Sequence, residues 1–349
     1  MNITDLLQEC VGRNASDLHL STGVVPMIRV DGELERLVTK VLVHDEILKA
    51  ILGIMNPMQQ DRLKTNLECD FSFEIPLLSR FRVNVFHQSR GISVSFRSIA
   101  HQIPSLNEIN APNILSDFTK SPRGLLLVTG PTGSGKSTTL AAMVDLLNQT
   151  TAQHILTIED PIEFVHSPKK SLINQREVGS HTLSFSNALK SALREDPNVI
   201  LVGEMRDLET IRLAITAAET GHLVLATLHT SGAAKTIDRM IDVFPSDEKK
   251  IVRTILSESL TAVISQVLCK RITGSGRIAA YEIMVGSSAI RHLIREGKVS
   301  QMYSAIQTGS ALGMQTLDQS LSALVQHGEI DLSQARSKAQ FPDNFYSIR

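Results

Sequence analysis

Apolar residues along the chain follow two different rhythms, and the change between them falls in a proline-punctuated stretch. Upstream, Arg80-Phe81-Arg82-Val83-Asn84-Val85-Phe86 alternates polar and apolar positions, and Ile92-Ser93-Val94-Ser95-Phe96-Arg97 does so again after His87–Gly91. Two period-2 runs around a short glycine-containing turn predict a β-hairpin with one buried face. Its polar face carries Arg82 and Arg97. Residues 3–13 and those around 45–65 read as helices, so the upstream part is expected to be a small α+β domain.

Downstream, strands alternate with helices. Leu125-Leu126-Leu127-Val128-Thr129 is a continuous apolar run of strand length, the pattern of a strand buried on both faces. A helix follows with Leu140, Met143, Val144 and Leu147 on one side. Further strands are expected at Ile155–Ile158, Val199–Val202 and Leu223–Thr227. Between the last two, a helix begins near Asp207 with Leu208, Ile211, Ile215 and Ala218 on one face and Gly221 as its stop. Such alternation predicts a mostly parallel sheet with helices on both faces. From about Ser246 onward the pattern reads as mainly helical. Pro104, Pro112 and Pro122 break both kinds of element, which sets the expected domains at 1–102 and 124–349 with a linker at 103–123.

Composition adds limits. With 349 residues, 42% hydrophobic and 20% charged, the chain has enough apolar mass for two cores and is not disordered. Lysine plus arginine number 35 against 36 acidic residues, a net charge of 35 − 36 = −1. That balance argues against a protein that coats nucleic acid through bulk charge. Cys10, Cys69 and Cys269 are scattered and form no CxxC pair, which disfavours a disulfide framework or a cysteine zinc site. The N-terminus lacks the basic-then-apolar pattern of a signal peptide, and no long apolar run is present, so a soluble intracellular protein is expected.

The strongest chemical signal is Gly130-Pro131-Thr132-Gly133-Ser134-Gly135-Lys136-Ser137, which matches G-x-x-x-x-G-K-[ST]. Its glycines let backbone N–H groups curl around phosphate oxygens at the positive end of the next helix. Lys136 is placed to reach the β and γ phosphates of ATP, and the Ser137 hydroxyl to coordinate Mg²⁺, with Thr138 next in line for nucleotide contact. The motif follows a buried strand and opens an amphipathic helix, as phosphate binding requires.

Acidic strand ends come next. Ile155–Ile158 runs into Glu159-Asp160-Pro161-Ile162-Glu163, and Val199–Val202 into Gly203-Glu204. Ligands of open α/β sheets sit at the carboxyl ends of strands, where the glycine-rich loop also lies. Metal–phosphate chemistry needs one carboxylate near Mg²⁺ and another to orient the attacking water. Glu204 suits the metal. Glu159 and Glu163 both suit the base, and the residues alone leave that choice open. His229 ends the strand that starts after His222, so His229 is expected on the catalytic edge and His222 on the opposite one. Arg82, Arg97, Arg194 and Arg206 are candidates to stabilise γ-phosphate charge, with salt-bridging as their ordinary alternative.

With these motifs in view, the sequence resembles the PilT-type retraction ATPases of bacterial type IV pili, within the secretion-ATPase superfamily. The likeness covers Ala15–Leu20, Ile28-Arg29-Val30-Asp31-Gly32, the Walker A loop and the acidic box Thr157–Phe164. It extends to Gly203–Asp207, the histidine box from Thr220-Gly221-His222-Leu223 to Thr227-Leu228-His229-Thr230, and Ala289–Glu296, where His292 replaces a customary asparagine. The resemblance implies a PAS-like α+β N-terminal domain and a RecA-like P-loop ATPase domain with a helical C-terminal region. It also implies a homohexamer with ATP between the two domains, working with Mg²⁺. By motif position it makes Glu163 the water-activating glutamate and Glu204 the Mg²⁺-associated acid, and it moves His222 to the site beside His229. Arg82 and Arg97 become arginines that reach the phosphates. The implied task is pilus retraction at the cytoplasmic face of the inner membrane, with a platform protein and a paralogous ATPase as partners and no nucleic acid. An accessory PilU-like motor, or an assembly or type II secretion ATPase, is the alternative. Arg291 and Arg295, at i, i+4 on a face away from Ile290, Leu293 and Ile294, are expected on a solvated coupling surface.

Overall fold

The structure, a computed structural model, describes residues 2–30, 33–37, 40–76, 78–99, 102–273 and 276–345. Asp31 and Gly32 of the Ile28–Gly32 motif lie outside these residues. The chain divides into two compact units, Met1–Gln102 with Pro161–Phe164, and Ile103–Asp160 with Val165–Arg349.

The first unit runs α1 (Ile3–Gly12), β1 (Asp17–Ser21), β2 (Met27–Val30), β3 (Glu33–Arg36), α2 (His44–Leu52), α3 (Pro57–Asn66), β4 (Glu68–Ile75), β5 (Ser79–Gln88) and β6 (Gly91–Ile99). Its six strands form one antiparallel sheet in the order β3-β2-β1-β6-β5-β4. The expected hairpin is β5–β6, with Phe81, Val83, Val85, Val94 and Phe96 buried on one face together with Leu7 of α1 and Ile47 and Ile51 of α2. The helical stretch around 45–65 is two helices. Asn56 and Gln59 form a capping box and Pro57 takes the first helical position, which restarts the helix after a break. On the polar face the register aligns Arg29, Asp17, Arg97 and Arg82 across β2, β1, β6 and β5. Asp17 is nearly buried and accepts from Arg97 Nε at 2.9 Å, while Arg29 lies at 4.0 Å. Burial opposes ionisation of Asp17, but the hydrogen bonds from Ser16 and Arg97, with the arginine charge, hold its carboxyl below the usual range.

The second unit begins inside the proline-rich stretch. Leu106, Leu115 and Phe118, the last two in α4 (Ile114–Phe118), are buried against its sheet, so residues 103–123 pack as part of this unit. There follow β7 (Gly124–Thr129), α5 (Lys136–Thr150), β8 (His154–Glu159), β9 (Leu172–Glu177), α6 (Phe185–Ala192), β10 (Val199–Val202), α7 (Leu208–Glu219), β11 (Leu223–Leu228), α8 (Ala233–Asp242) and α9 (Lys249–Ser259). The Asp207 side chain accepts from Thr210 N at 2.8 Å and so starts α7 where the pattern predicts. Strands β12 (Leu260–Lys270) and β13 (Arg277–Val285) come next, then α10 (Ser288–Arg295), α11 (Met302–Thr308), α12 (Leu317–Gln326) and α13 (Leu332–Lys338).

The strand order is β13-β12-β7-β11-β10-β8-β9, all parallel except the β12–β13 pair. The stretch after Ser246, read as mainly helical, also supplies two strands, β12 and β13, that the pattern did not announce. Leu260, Val263, Ile264, Val267 and Leu268 fit a helical spacing as well as an extended run, and no glycine or proline separates them from α9. Pairing with β7 decides the matter, since that strand is buried along its whole length and needs a hydrogen-bonded neighbour on each side.

A correction concerns α10. Arg291 is only partly exposed, and its guanidinium is tied to the backbone. Its guanidinium donates to the carbonyls of Gly286 (2.7 Å), Ser257 (2.6 Å), Glu258 (2.5 Å) and Leu260 (3.2 Å), closing the C-terminal end of α9. A cation there satisfies orphan carbonyls and complements the negative helix end. Arg295 reaches Glu258 at 2.8 Å near the surface.

Candidate phosphate-binding site

Parallel order puts the carboxyl ends of β7, β11, β10 and β8 along one sheet edge, with β11 between the strand that feeds the loop and the strand that leads to Glu204. Gly130–Gly135 connects β7 to α5. Gly130, Gly133 and Gly135 have φ of 140°, 76° and 89°, a left-handed run that a side chain would strain. A Cβ on Gly130 would come within 2.3 Å of the Gln266 carbonyl oxygen, so that glycine is required by close approach to β12. Gly133 faces open space.

Lys136 opens α5 and is largely buried. Its Nζ donates to Gly130 O at 2.9 Å and Pro131 O at 3.1 Å and lies 3.4 Å from His229 Nδ1. Burial pulls its pKa below that of a free lysine, and the charge of Glu204 works the other way. His229 Nε2 sits 3.2 Å from Glu204 Oε1, and Arg206 Nε lies 2.7 Å from the same oxygen. One neutral tautomer serves both contacts of His229, since Nε2–H donates to Glu204 while Nδ1 accepts from the ammonium. Burial disfavours the Glu204 anion, but the hydrogen bond and charge of Arg206, with the hydrogen bond of His229, hold its carboxyl below the ordinary value. Lys136, His229, Glu204 and Arg206 therefore form one continuous polar cluster.

Buried polar atoms at the loop are left without protein partners. Thr129 Oγ1 and Ser134 Oγ make no hydrogen bond, although both are shielded from solvent. Such orphans call for a ligand or water. With the left-handed glycine run and the amine of Lys136, they fit phosphate. Ser137, exposed on the first turn of α5, and Glu204 are the oxygen donors suited to a magnesium ion. Among the described residues no group of three or more His, Cys, Asp or Glu could hold a metal. A magnesium ion bound through phosphates needs only one or two side chains.

The other candidates divide. Glu159 ends β8 with its carboxylate accepting from Thr157 Oγ1 at 2.6 Å and Gln175 Nε2 at 3.1 Å. Glu163 is exposed on Pro161–Phe164, which groups with the first unit. His222 stands at the beginning of β11, where its carbonyl accepts from Gly124 N at the start of β7 and its Nδ1 lies 3.0 Å from Ala217 O. A six-residue strand, about 20 Å long, separates it from His229, so within this chain it does not join the loop. The residue-level reading anticipated that position, and the family-based transfer of His222 to the site did not. Arg194 lies in the turn leading into β10 and is exposed. Gln266 was missed by sequence reasoning because no strand was read after Ser246.

Fold and loop define a P-loop protein with a RecA-like parallel sheet. The chain belongs to the type II/IV secretion system protein family, whose profile matches residues 1–336. It is 61% identical over 345 residues to the type IV pilus retraction ATPase PilT of Pseudomonas aeruginosa, covering 99% of this chain and 100% of that protein. A twitching motility protein of Neisseria gonorrhoeae is 59% identical over 315 residues, 90% of this chain and 84% of that one. Among solved structures, the pilus retraction motor PilT with bound ADP superposes with a TM-score of 0.94 at 44% identity, over the full length of both chains.

Proposed function

We propose that this chain is an ATP-hydrolysing motor that drives type IV pilus retraction and so twitching motility. The observation that carries the reading is near-full-length identity of 61% to a pilus retraction ATPase, in a chain whose Lys136, His229 and Glu204 meet at the phosphate loop. ATP binds with its phosphates in the Gly130–Ser137 cradle. The Lys136 amine exchanges the carbonyls of Gly130 and Pro131 for phosphate oxygens, a trade of neutral acceptors for charged ones. Ser137 and Glu204 are the residues that would hold Mg²⁺, which neutralises phosphate charge when bound. His229 couples Glu204 to Lys136, so loss of the lysine from one partner is felt by the other. Glu163 accepts the proton of the attacking water. Its exposure supports that role over Glu159, whose carboxylate is already engaged by Thr157 and Gln175. Arg97 and Arg82 add positive charge to γ-phosphate, with Asp17 fixing the first of them. The motor works as a homohexamer against a platform protein at the cytoplasmic face of the inner membrane; no helix among the described residues is long and apolar enough to cross a membrane.

Deletion of the gene with imaging of surface pili tests the reading. Retained, excess pili with lost motility are expected; bald cells would make the protein an assembly motor. Complementation with Glu163→Gln should leave the deletion phenotype, and the purified variant should bind ATP while hydrolysing it about 10²–10⁴-fold more slowly. If Glu159→Gln is the inactive protein and Glu163→Gln turns over normally, the base is Glu159.

A further inference from the structure

Gln266 lies on β12 just beyond its last residue paired to β7, and it is 1% exposed. Its side-chain amide uses both ends. Nε2 donates to Ser134 O at 2.7 Å, and Oε1 accepts from Thr139 Oγ1 at 2.9 Å. Thr139 stands on the second turn of α5. The chain Thr139–Gln266–Ser134 thus runs in one direction and ends on a carbonyl that can only accept. That carbonyl also fixes the amide, because the flipped orientation would set two oxygens against each other.

The consequence lies one bond further on. In a planar trans peptide the C=O and the following N–H point in opposite directions. Gln266 holds Ser134 C=O toward its own amide on β12, so the Gly135 N–H is turned to the opposite side of that peptide, away from Gln266. Gly135, at φ 89° and directly before Lys136, is the N-cap of α5. Its N–H therefore combines a loop donor with the positive helix end.

We infer that Gln266 is a positioning residue for the nucleotide, which locks the Ser134–Gly135 peptide so that Gly135 N–H faces phosphate before ligand arrives. The inference rests on the reading of Gly130–Ser137 as the ATP site. Without the amide, the peptide is free to rotate and binding must first restore it. The lost term acts equally on bound ATP and on its transition state, so it weakens binding without slowing chemistry.

The test is steady-state ATP hydrolysis and ADP binding by the purified full-length Gln266→Leu protein, with thermal melting alongside. The KM for ATP and the Kd for ADP should both rise about tenfold, the scale of one hydrogen bond to a charged ligand, while kcat changes by less than about twofold. Thr139→Val, which unties the other end of the amide and leaves Gln266 in place, should move both constants the same way by about two- to threefold. It serves if Gln266→Leu fails to fold. Wild-type ADP affinity in either folded variant overturns the proposal, as does a fall in kcat at unchanged KM. Lys136→Ala run in parallel separates the two readings: normal turnover in that variant removes the ATP site itself, whereas an inactive Lys136→Ala beside an unaltered Gln266→Leu removes only the role of Gln266.

Discussion

Lys136 and Arg291 are both hydrogen-bonded to backbone carbonyls, in surroundings that differ. Lys136 Nζ rests on Gly130 O and Pro131 O in a loop with open space at Gly133 and buried orphan hydroxyls beside it. Arg291 holds four carbonyls at the junction of α9, β12 and α10, among groups that have no other task. The bonds are alike in kind. What differs is whether the surroundings offer the cation a better partner. Around Lys136 a phosphate can replace the carbonyls as partner of the amine. All three guanidinium nitrogens of Arg291 already lie on carbonyls. A charged residue bonded to main chain is therefore a binding group where its neighbours are unsatisfied, and a structural brace where they are not.

The largest effect is expected where the comparison is sharpest. Lys136→Ala should reduce ATP turnover by at least about 100-fold, the scale of removing one preorganised charge from a transition state. Losing the amine leaves the buried Gly130 carbonyl without that donor but also removes the cost of burying the ammonium, so folding stability should change by less than about 1 kcal/mol. Turnover and urea unfolding of the same preparation check both halves. A protein that keeps its activity but unfolds early would make Lys136 a brace like Arg291.

Arg291→Ala should show the reverse. Three carbonyls at the end of α9 and that of Gly286 lose their donor, and partial exposure lets water take over some of them. A loss of about 1–3 kcal/mol is expected, with a fall of several degrees in melting temperature. Per folded molecule, ATP turnover at saturating nucleotide should stay within about twofold of wild type, since no atom of Arg291 touches the loop cluster. An unchanged melting temperature with lost motility would return Arg291 to a coupling surface.

The two regions also differ in how far the sequence exposes them. The phosphate loop is legible because its physics is local: β7, the glycines and the amphipathic α5 follow one another within a short span, each with its own signature. Glu204 and His229 are legible for a related reason, as residues at the ends of apolar strands that a parallel sheet must align. Asp17 beside Arg97 and Gln266 beneath Ser134 are not, since both depend on pairing between segments far apart in the chain. Arg291 was misread for the same cause. Helical spacing says which residues share its face, but its acceptors belong to α9, β12 and the turn before α10. His222 shows the converse, where strand polarity read from residues alone matches its place at the start of β11 within this chain.

Arg295 gives the smallest effect and the finest test of the distinction. It sits one helical turn beyond Arg291 and points to the same region, with Nη1 2.8 Å from Glu258 Oε1 and 3.3 Å from Ser257 Oγ. Its partner carboxylate is 67% exposed and its own side chain 38%, so water screens the pair and both side chains lose rotamer freedom to make it. Exposed pairs of this kind contribute about 0.2–1 kcal/mol, and the Ser257 contact lies at the long end of hydrogen-bond distance. Arg295→Ala should therefore shift stability by no more than about 0.5 kcal/mol, leave ATP turnover unchanged, and lose what effect it has as salt is raised. Denaturant titrations of wild type, Arg291→Ala, Arg295→Ala and the double variant measure this directly. Losses dominated by Arg291 with a small coupling are expected, because Arg291 takes the backbone carbonyls of Ser257 and Glu258 while Arg295 takes their side chains, and the Glu258 carboxylate lies near both. A loss from Arg295→Ala as large as that from Arg291→Ala would mean that acceptor exposure does not separate brace from bystander, and the contrast with Lys136 would then need another physical basis.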